Sequence, residues 1–165
     1  MKIISFRNDV LPMKDKLFRL ALRITLNRQD AEDVVQEVLI KIWNNRERWQ
    51  QLESIEAWAF TITRNMSLDV LRKNEAHRTV EIDTEPLASN YDQFNERERL
   101  QLVRKLMDSL PEKQRTAMQL RDFEGMSYKE VADIMGISEE QVKVNIYRAR
   151  QFIKQKYSEI SEYGL

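Results

Sequence analysis

Two reciprocal capping motifs, eleven residues apart, constrain this chain more than any other feature. Ser127-Tyr-Lys-Glu130 and Ser138-Glu-Glu-Gln141 each put a hydroxyl at a helix N-cap and a carboxylate or amide three residues on. In that arrangement each side chain satisfies the other's free backbone amide. Between the caps, Val131, Ala132, Ile134 and Met135 form a short apolar stripe that stops at Gly136, with Ile137 placed to plug the turn. The helix launched at Ser138 carries its own stripe, Val142, Ile146, Ala149 and Ile153. Two short helices across a tight glycine turn, with small Ala132 permitting close approach, predict a helix-turn-helix.

The outer face of the second helix holds Lys143, Tyr147, Arg148, Arg150, Lys154 and Lys156. Residues 139–157 carry five basic and two acidic groups, a local charge of +3 in a chain whose formal net charge is zero. Neutrality excludes a generic polycationic DNA coat, so binding has to come from this local asymmetry. Basic groups around an aromatic on the second helix suit phosphate anchoring with groove reading.

Composition narrows the rest. With 165 residues there is room for one ordinary domain or two small ones, and 3 Gly and 3 Pro favour helices over an all-β fold. No cysteine is present, which excludes disulfides, thiolate metal sites and cysteine nucleophiles. The single histidine, His77, reads as a solvated surface residue and lacks the partners for a metal site or a catalytic relay. Residues 1–10 carry Lys2, Arg7 and Asp9 and lack a signal-peptide core, and no apolar run approaches the roughly 20 residues that span a bilayer. The expectation is a cytoplasmic protein without membrane insertion, metal, cofactor, small-molecule substrate or catalytic residue.

The apolar spacing divides the chain into two helical modules, 1–78 and 96–165, joined by an acidic linker over 79–95. In the first module Val34, Val35, Val38, Leu39 and Ile42 make one broad stripe, with Asp30 expected as its N-cap. A second helix is expected from Ser54, with stripe Ile55, Ala59, Ile62, Met66 and Val70, after an irregular stretch at 44–53. Residues 79–99 hold six carboxylates against two arginines, together with Pro86, Ser89 and Asn90, and no sustained period. Beyond them Leu100, Val103, Leu106, Met107 and Leu110 open the second module, where Pro111 suits a first helical position and Gly125 a helix stop.

The first module's polar faces are less specific. Trp58, Thr61, Asn65, Leu68 and Arg72 share a face at 100° per residue, with Arg64, Lys73 and Arg78 nearby, a mixture that can stack on and hydrogen-bond exposed bases. Asp30, Glu32, Asp33, Gln36, Glu37 and Lys41 form either the solvated side of a helix or a protein-docking face. A stand-alone helix-turn-helix regulator, dimerising through the first module, stays open on spacing alone. It would need a second apolar face on the 30–43 helix, and that face is charged. An enzyme would need a metal site, a phosphate site or a Gly-rich loop.

At these residues the chain resembles the bacterial sigma factors of the small extracytoplasmic-function (ECF) type. Asp30-Ala-Glu-Asp-Val-Val-Gln-Glu-Val38, running on to Ile42-Trp43, resembles the polymerase-binding helix of their region 2. Ala57-Trp-Ala-Phe-Thr-Ile-Thr-Arg-Asn65 through Asp69-Val-Leu-Arg-Lys73 resembles their promoter-melting helix. Leu110-Pro111 with Arg115, Glu124-Gly-Met-Ser-Tyr-Lys-Glu-Val-Ala132, Gly136-Ile-Ser138, Val142-Lys143 and Arg148-Ala-Arg150 resemble region 4.

The resemblance implies an all-α chain with a region 2-like bundle and a region 4-like helix-turn-helix. It implies core RNA polymerase, promoter DNA and an anti-sigma factor acting in trans as partners. Asp30, Glu32, Asp33, Gln36, Glu37 and Lys41 would dock on the polymerase clamp. The 48–54 loop, with Trp49, would capture a flipped base of the −10 element beside Trp58, Thr61 and Asn65, while Arg64, Arg72 and Lys73 hold the backbone. The −35 set would be Ser127, Ser138, Glu139, Gln141, Lys143, Val144, Tyr147, Arg148 and Arg150. The chain departs from the family pattern at Asn145, where arginine is usual, and at Gln141 and Val144, which puts a phosphate contact and the −35 preference in question.

Overall fold

The structure, a computed structural model, describes residues 3–77 and 95–163, and every regular element among them is helical. The linker expected over 79–95 lies outside the described residues except for Asn95. In the first module a short π turn, Phe6–Val10, and a 3-10 turn, Leu11–Met13, lead into α1 (Lys14–Thr25), α2 (Arg28–Asn44), a 3-10 turn (Arg46–Gln51) and α3 (Ile55–His77). The second module holds α4 (Glu96–Asp108), α5 (Glu112–Met118), a π turn (Gln119–Phe123), α6 (Tyr128–Met135) and α7 (Glu139–Tyr163).

Most starts and stops have local causes. α2 begins three residues earlier than the expected Asp30 cap: the Asn27 side chain accepts from the Asp30 amide at 2.9 Å. An asparagine in extended conformation satisfies the orphan N–H as well as aspartate would. Ser54 Oγ caps α3 by accepting from the Ala57 amide at 3.1 Å. Asn95 and Glu98 form a capping box at α4, and Pro111 sits at the N-cap of α5, one position before the first helical residue. Leu26 ends α1 in the left-handed region at φ 58°, an uncommon conformation for a side chain with a Cβ.

α1, α2 and α3 pack around Leu17, Leu20, Ile24, Val35, Val38, Ile42 and Phe60, all fully buried. Side chains of this kind contribute about 1.5–3 kcal/mol each on leaving water. The buried cluster does not stop at the first module. It continues through Ala117, Leu120, Met126, Val131, Ile134, Met135, Val142 and Ile146, so α1 meets α5 and α3 meets α6 in one continuous core. A second cluster, with Leu102, Leu106, Met107, Leu110, Ala149 and Ile153, holds α4 to the far half of α7.

Candidate nucleic-acid and protein interfaces

The helix-turn-helix forms from the hydrogen bonds its caps call for. Ser127 Oγ accepts from the Glu130 amide at 3.1 Å, and Glu130 Oε1 accepts from the Ser127 amide at 3.2 Å. Ser138 and Gln141 repeat this at 3.1 and 3.0 Å. Gly136, at φ 65°, takes the left-handed stop, and the Ile137 amide donates to the Ala132 carbonyl at 3.1 Å. Both serines are thus committed to caps, and Gln141 keeps only its amide nitrogen free of that role. Ser138, Glu139, Glu140 and Gln141 are all exposed, so the start of α7 faces solvent.

On the outer face of α7, Val144 is 45% and Tyr147 65% exposed, with Lys143 and Arg148 exposed beside them. A cleft of about 620 Å³ is lined by Lys113, Ile137, Ser138, Glu140, Gln141, Val144, Asn145 and Arg148. Lys113, from the first turn of α5, escaped the sequence reading because its distance in the chain hides its place beside Arg148. Asn145 turns inward along its own helix, donating to the Gln141 carbonyl at 2.8 Å. Lys143 Nζ sits 5.4 Å from the Tyr128 ring centroid, on a ring that Arg121 also covers at 4.5 Å. Arg150 is ion-paired with Asp122, its Nε donating at 3.0 Å, and this hydrogen bond holds its proton more tightly than usual. Its first role in the free chain is therefore to fasten the 119–123 turn to α7.

α2 shows a different kind of surface. Glu32, Asp33, Gln36, Glu37 and Lys41 are exposed, and so are Ile40 at 59% and Trp43 at 46%. Arg28 and Gln29 partner Glu32 and Asp33 one turn on, at 3.3 and 3.0 Å. Asp30 is half-buried and accepts from Asn74 Nδ2 at 2.8 Å, which ties α2 to α3 rather than leaving the carboxylate free. The two exposed apolar residues, which spacing did not single out, give the charged strip an apolar centre.

The expected −10 residues divide. Asn65, Arg72 and Lys73 are exposed on α3, while Trp58, Thr61 and Arg64 are half-buried. Thr61 Oγ1 donates back to the Ala57 carbonyl at 2.8 Å, and Arg64 Nε is buried without a partner among the described residues. Leu68, expected on the same face, is 7% exposed and belongs to the core.

Within the stretch expected to be irregular at 44–53, the 3-10 turn Arg46–Gln51 buries Trp49. It is 6% exposed, its Nε1 donates to the Ile42 carbonyl at 3.0 Å, and its ring lies 6.5 Å from Phe6 and 6.3 Å from Trp43. The indole forms a wall. Beside it a cavity of about 460 Å³ opens among Ile4, Asp9, Met13, Gln50, Leu52, Glu53, Ser54, Ile55 and Glu56. Among the described residues no group of three or more His, Cys, Asp or Glu is placed to hold a metal, and no helix is long and apolar enough to cross a membrane.

Comparison with known proteins places both halves. Residues 10–77 match the family model for sigma-70 region 2, and residues 100–153 match that for sigma-70 region 4. The chain is 31% identical over 155 residues to the ECF RNA polymerase sigma factor EcfG of Rhodopseudomonas palustris, covering 88% of this chain and 81% of that protein. It is 33% identical over 151 residues to the ECF sigma factor SigE of Mycolicibacterium smegmatis, covering 85% of this chain but 56% of that longer protein. Among solved structures it matches the sigma factor RpoE of Bartonella quintana, in complex with the anti-sigma factor NepR. The TM-score is 0.73 at 27% identity, over 91% of this chain and 94% of that one.

Proposed function

The chain belongs to the ECF RNA polymerase sigma factors of the sigma-70 family, and from that membership we propose how its surfaces divide the work of directing polymerase to promoters. The chain is a transcription initiation factor. It works by binding energy alone, in the cytoplasm, with no catalytic group of its own.

One observation carries this reading: separate faces of the chain present a capped recognition helix and a charged strip with an apolar centre. The strip on α2, with Glu32, Asp33, Gln36, Glu37 and Lys41 around Ile40 and Trp43, docks on core polymerase. Apolar area at the middle of a polar rim is the anatomy of a protein interface. Asp30 positions α2 through Asn74. The start of α7 enters the major groove of the −35 element, where Val144 and Tyr147 meet base edges and Arg148, with Lys113, meets phosphate. Ser127 and Ser138 hold the two helices in register, with Glu139, Gln141 and Lys143 at the groove's edge. An anti-sigma factor is the expected regulator in trans.

In the first module the cavity walled by Trp49 takes a base flipped out of the −10 element, and Asn65 reads the strand nearby. Flipping costs a few kcal/mol, offset by stacking and edge hydrogen bonds. Arg64, Arg72 and Lys73 hold the backbone, with Trp58 and Thr61 supporting the surface from behind.

The direct test mixes purified chain with bacterial core polymerase without DNA. The expected outcome is a saturable 1:1 complex. No complex from folded chain would favour a stand-alone regulator. Asn65→Ala, assayed in the reconstituted holoenzyme by permanganate reactivity of the opened strand, should impair opening more than polymerase binding. Equal loss of both, or of neither, would count against the assignment.

A further inference from the structure

The side chain at the centre of a recognition face weighs most in its choice of bases, and on α7 that centre is Val144. Its neighbours one turn away are Glu140 and Gln141 on one side and Tyr147 and Arg148 on the other, all of them exposed. Val142 and Ile146, two residues to either side, fill the core, and Val144 points away from it. At 45% exposure it is an apolar side chain held in water among polar and charged ones. Packing gives no reason for it to be there.

The polar groups around Val144 have narrower choices than their identities suggest. Gln141 Oε1 accepts from the Ser138 amide at 3.0 Å, which leaves its amide nitrogen alone to meet a base. A glutamine reads adenine through two bonds, one given and one taken, and the second needs that oxygen. Ser138 Oγ accepts from the Gln141 amide at 3.1 Å, and Asn145 Nδ2 donates to the Gln141 carbonyl at 2.8 Å. Lys143 Nζ lies over the Tyr128 ring at 5.4 Å, drawn toward α6. Each of these groups is already engaged within the protein, so discrimination falls on the apolar centre.

The major-groove edges of the base pairs carry donors and acceptors and one sizeable apolar group, the 5-methyl of thymine. An isopropyl group laid on a donor or acceptor strips its water and returns no hydrogen bond, which is unfavourable. Laid on the methyl, it buries apolar surface on both partners. One side chain therefore favours thymine and disfavours its competitors.

We infer that Val144 sets part of the −35 preference by packing on the 5-methyl group of a thymine, and that the same contact accepts 5-methylcytosine. The inference deepens the proposed role of α7 at the −35 element and rests on it. It also gives physical content to the departures from the family pattern at Gln141 and Val144: readout moves from hydrogen bonds to a methyl contact.

The test uses the full chain assembled with core polymerase. A pool of random duplexes is selected by binding, and the enriched upstream element is remade with each thymine in turn replaced by deoxyuridine, which lacks only the methyl. At one thymine, on either strand, the replacement should weaken binding about fourfold, the worth of one buried methyl. At that position 5-methylcytosine should bind about fourfold better than cytosine, since the two differ by the methyl alone. Val144→Ser, a change at an exposed site, should leave helicity by circular dichroism unchanged and bind the thymine and deoxyuridine duplexes alike. An enriched element without thymine, no thymine sensitive to loss of its methyl, or a methyl effect that persists in Val144→Ser overturns the inference. If the complex forms but enriches no upstream element, the −35 role of α7 fails and the methyl contact fails with it.

Discussion

The outer faces of α7 and α3 are both assigned to DNA, yet they are made in different ways. On α7 the groups proposed to meet DNA stand clear of the core: Val144, Tyr147 and Arg148 are exposed while Val142, Ile146 and Ala149 are buried. The two sets interleave at helical spacing, so one helix serves packing and recognition with little compromise. On α3 the sets overlap. Leu68 sinks into the core, Trp58, Thr61 and Arg64 are half-buried, and Asn65, Arg72 and Lys73 remain outside. Recognition of a regular groove needs a regular ridge. Capture of a displaced base needs a cavity, which only several elements together can wall.

The comparison breaks most sharply at Trp49. If the indole is a wall, Trp49→Ala removes a buried ring and its hydrogen bond to Ile42, with an expected loss of about 3 kcal/mol. Urea denaturation would read this directly. A loss below about 1 kcal/mol would mean that the indole does not serve as a packed wall.

Asp33→Arg, on the exposed face of α2, should weaken the polymerase complex about tenfold while leaving duplex binding by the full chain unchanged, as expected for a reversed interface charge. Normal assembly in a binding titration would place the docking face elsewhere. Ser138→Ala should cost about 1 kcal/mol in thermal or chemical unfolding, the usual worth of an N-cap, because the Gln141 amide loses its acceptor. An unchanged midpoint would mean the recognition helix does not depend on that cap.

The smallest effect separates two arginines two residues apart on α7. Arg148→Ala should lower the salt slope of DNA binding by about one unit with little dependence on sequence. Arg150→Ala should lower it less, since Arg150 is already paired with Asp122. Equal slopes would show that DNA breaks that pair.

How much of this was legible follows from the range of each interaction. The helix-turn-helix could be read from the chain because its determinants lie within three or four residues: Ser127 with Glu130, Ser138 with Gln141, and Gly136 against Ala132. The all-helical class was legible for the same reason, and the two family regions through the resemblance of their motifs. The Asp30 cap was misplaced by three residues because Asn27 is also a good N-cap, and by accepting from the Asp30 amide it draws Asp30 into the first turn. The burial of Trp49 was not legible because its acceptor is the carbonyl of Ile42, seven residues back, and Phe6 closes over it from the N-terminal turn. Nothing at Lys113 announces Arg148 as a neighbour. The partners of Arg19 and Arg23 on α1, Glu124 and Asp108 among them, lie 81 to 105 residues away, where no periodicity reaches.

The central claim is that this chain confers promoter choice on polymerase through α2, α3 and α7. The most direct measurement is transcription by core polymerase from a library of host genomic fragments, with and without the purified chain, mapping every 5′ end. The account predicts new, discrete starts that appear only with the chain, share an upstream element at a fixed distance, and disappear with the Asp33→Arg variant. Starts indistinguishable from those of core polymerase alone, despite a stable complex between the two, would contradict it.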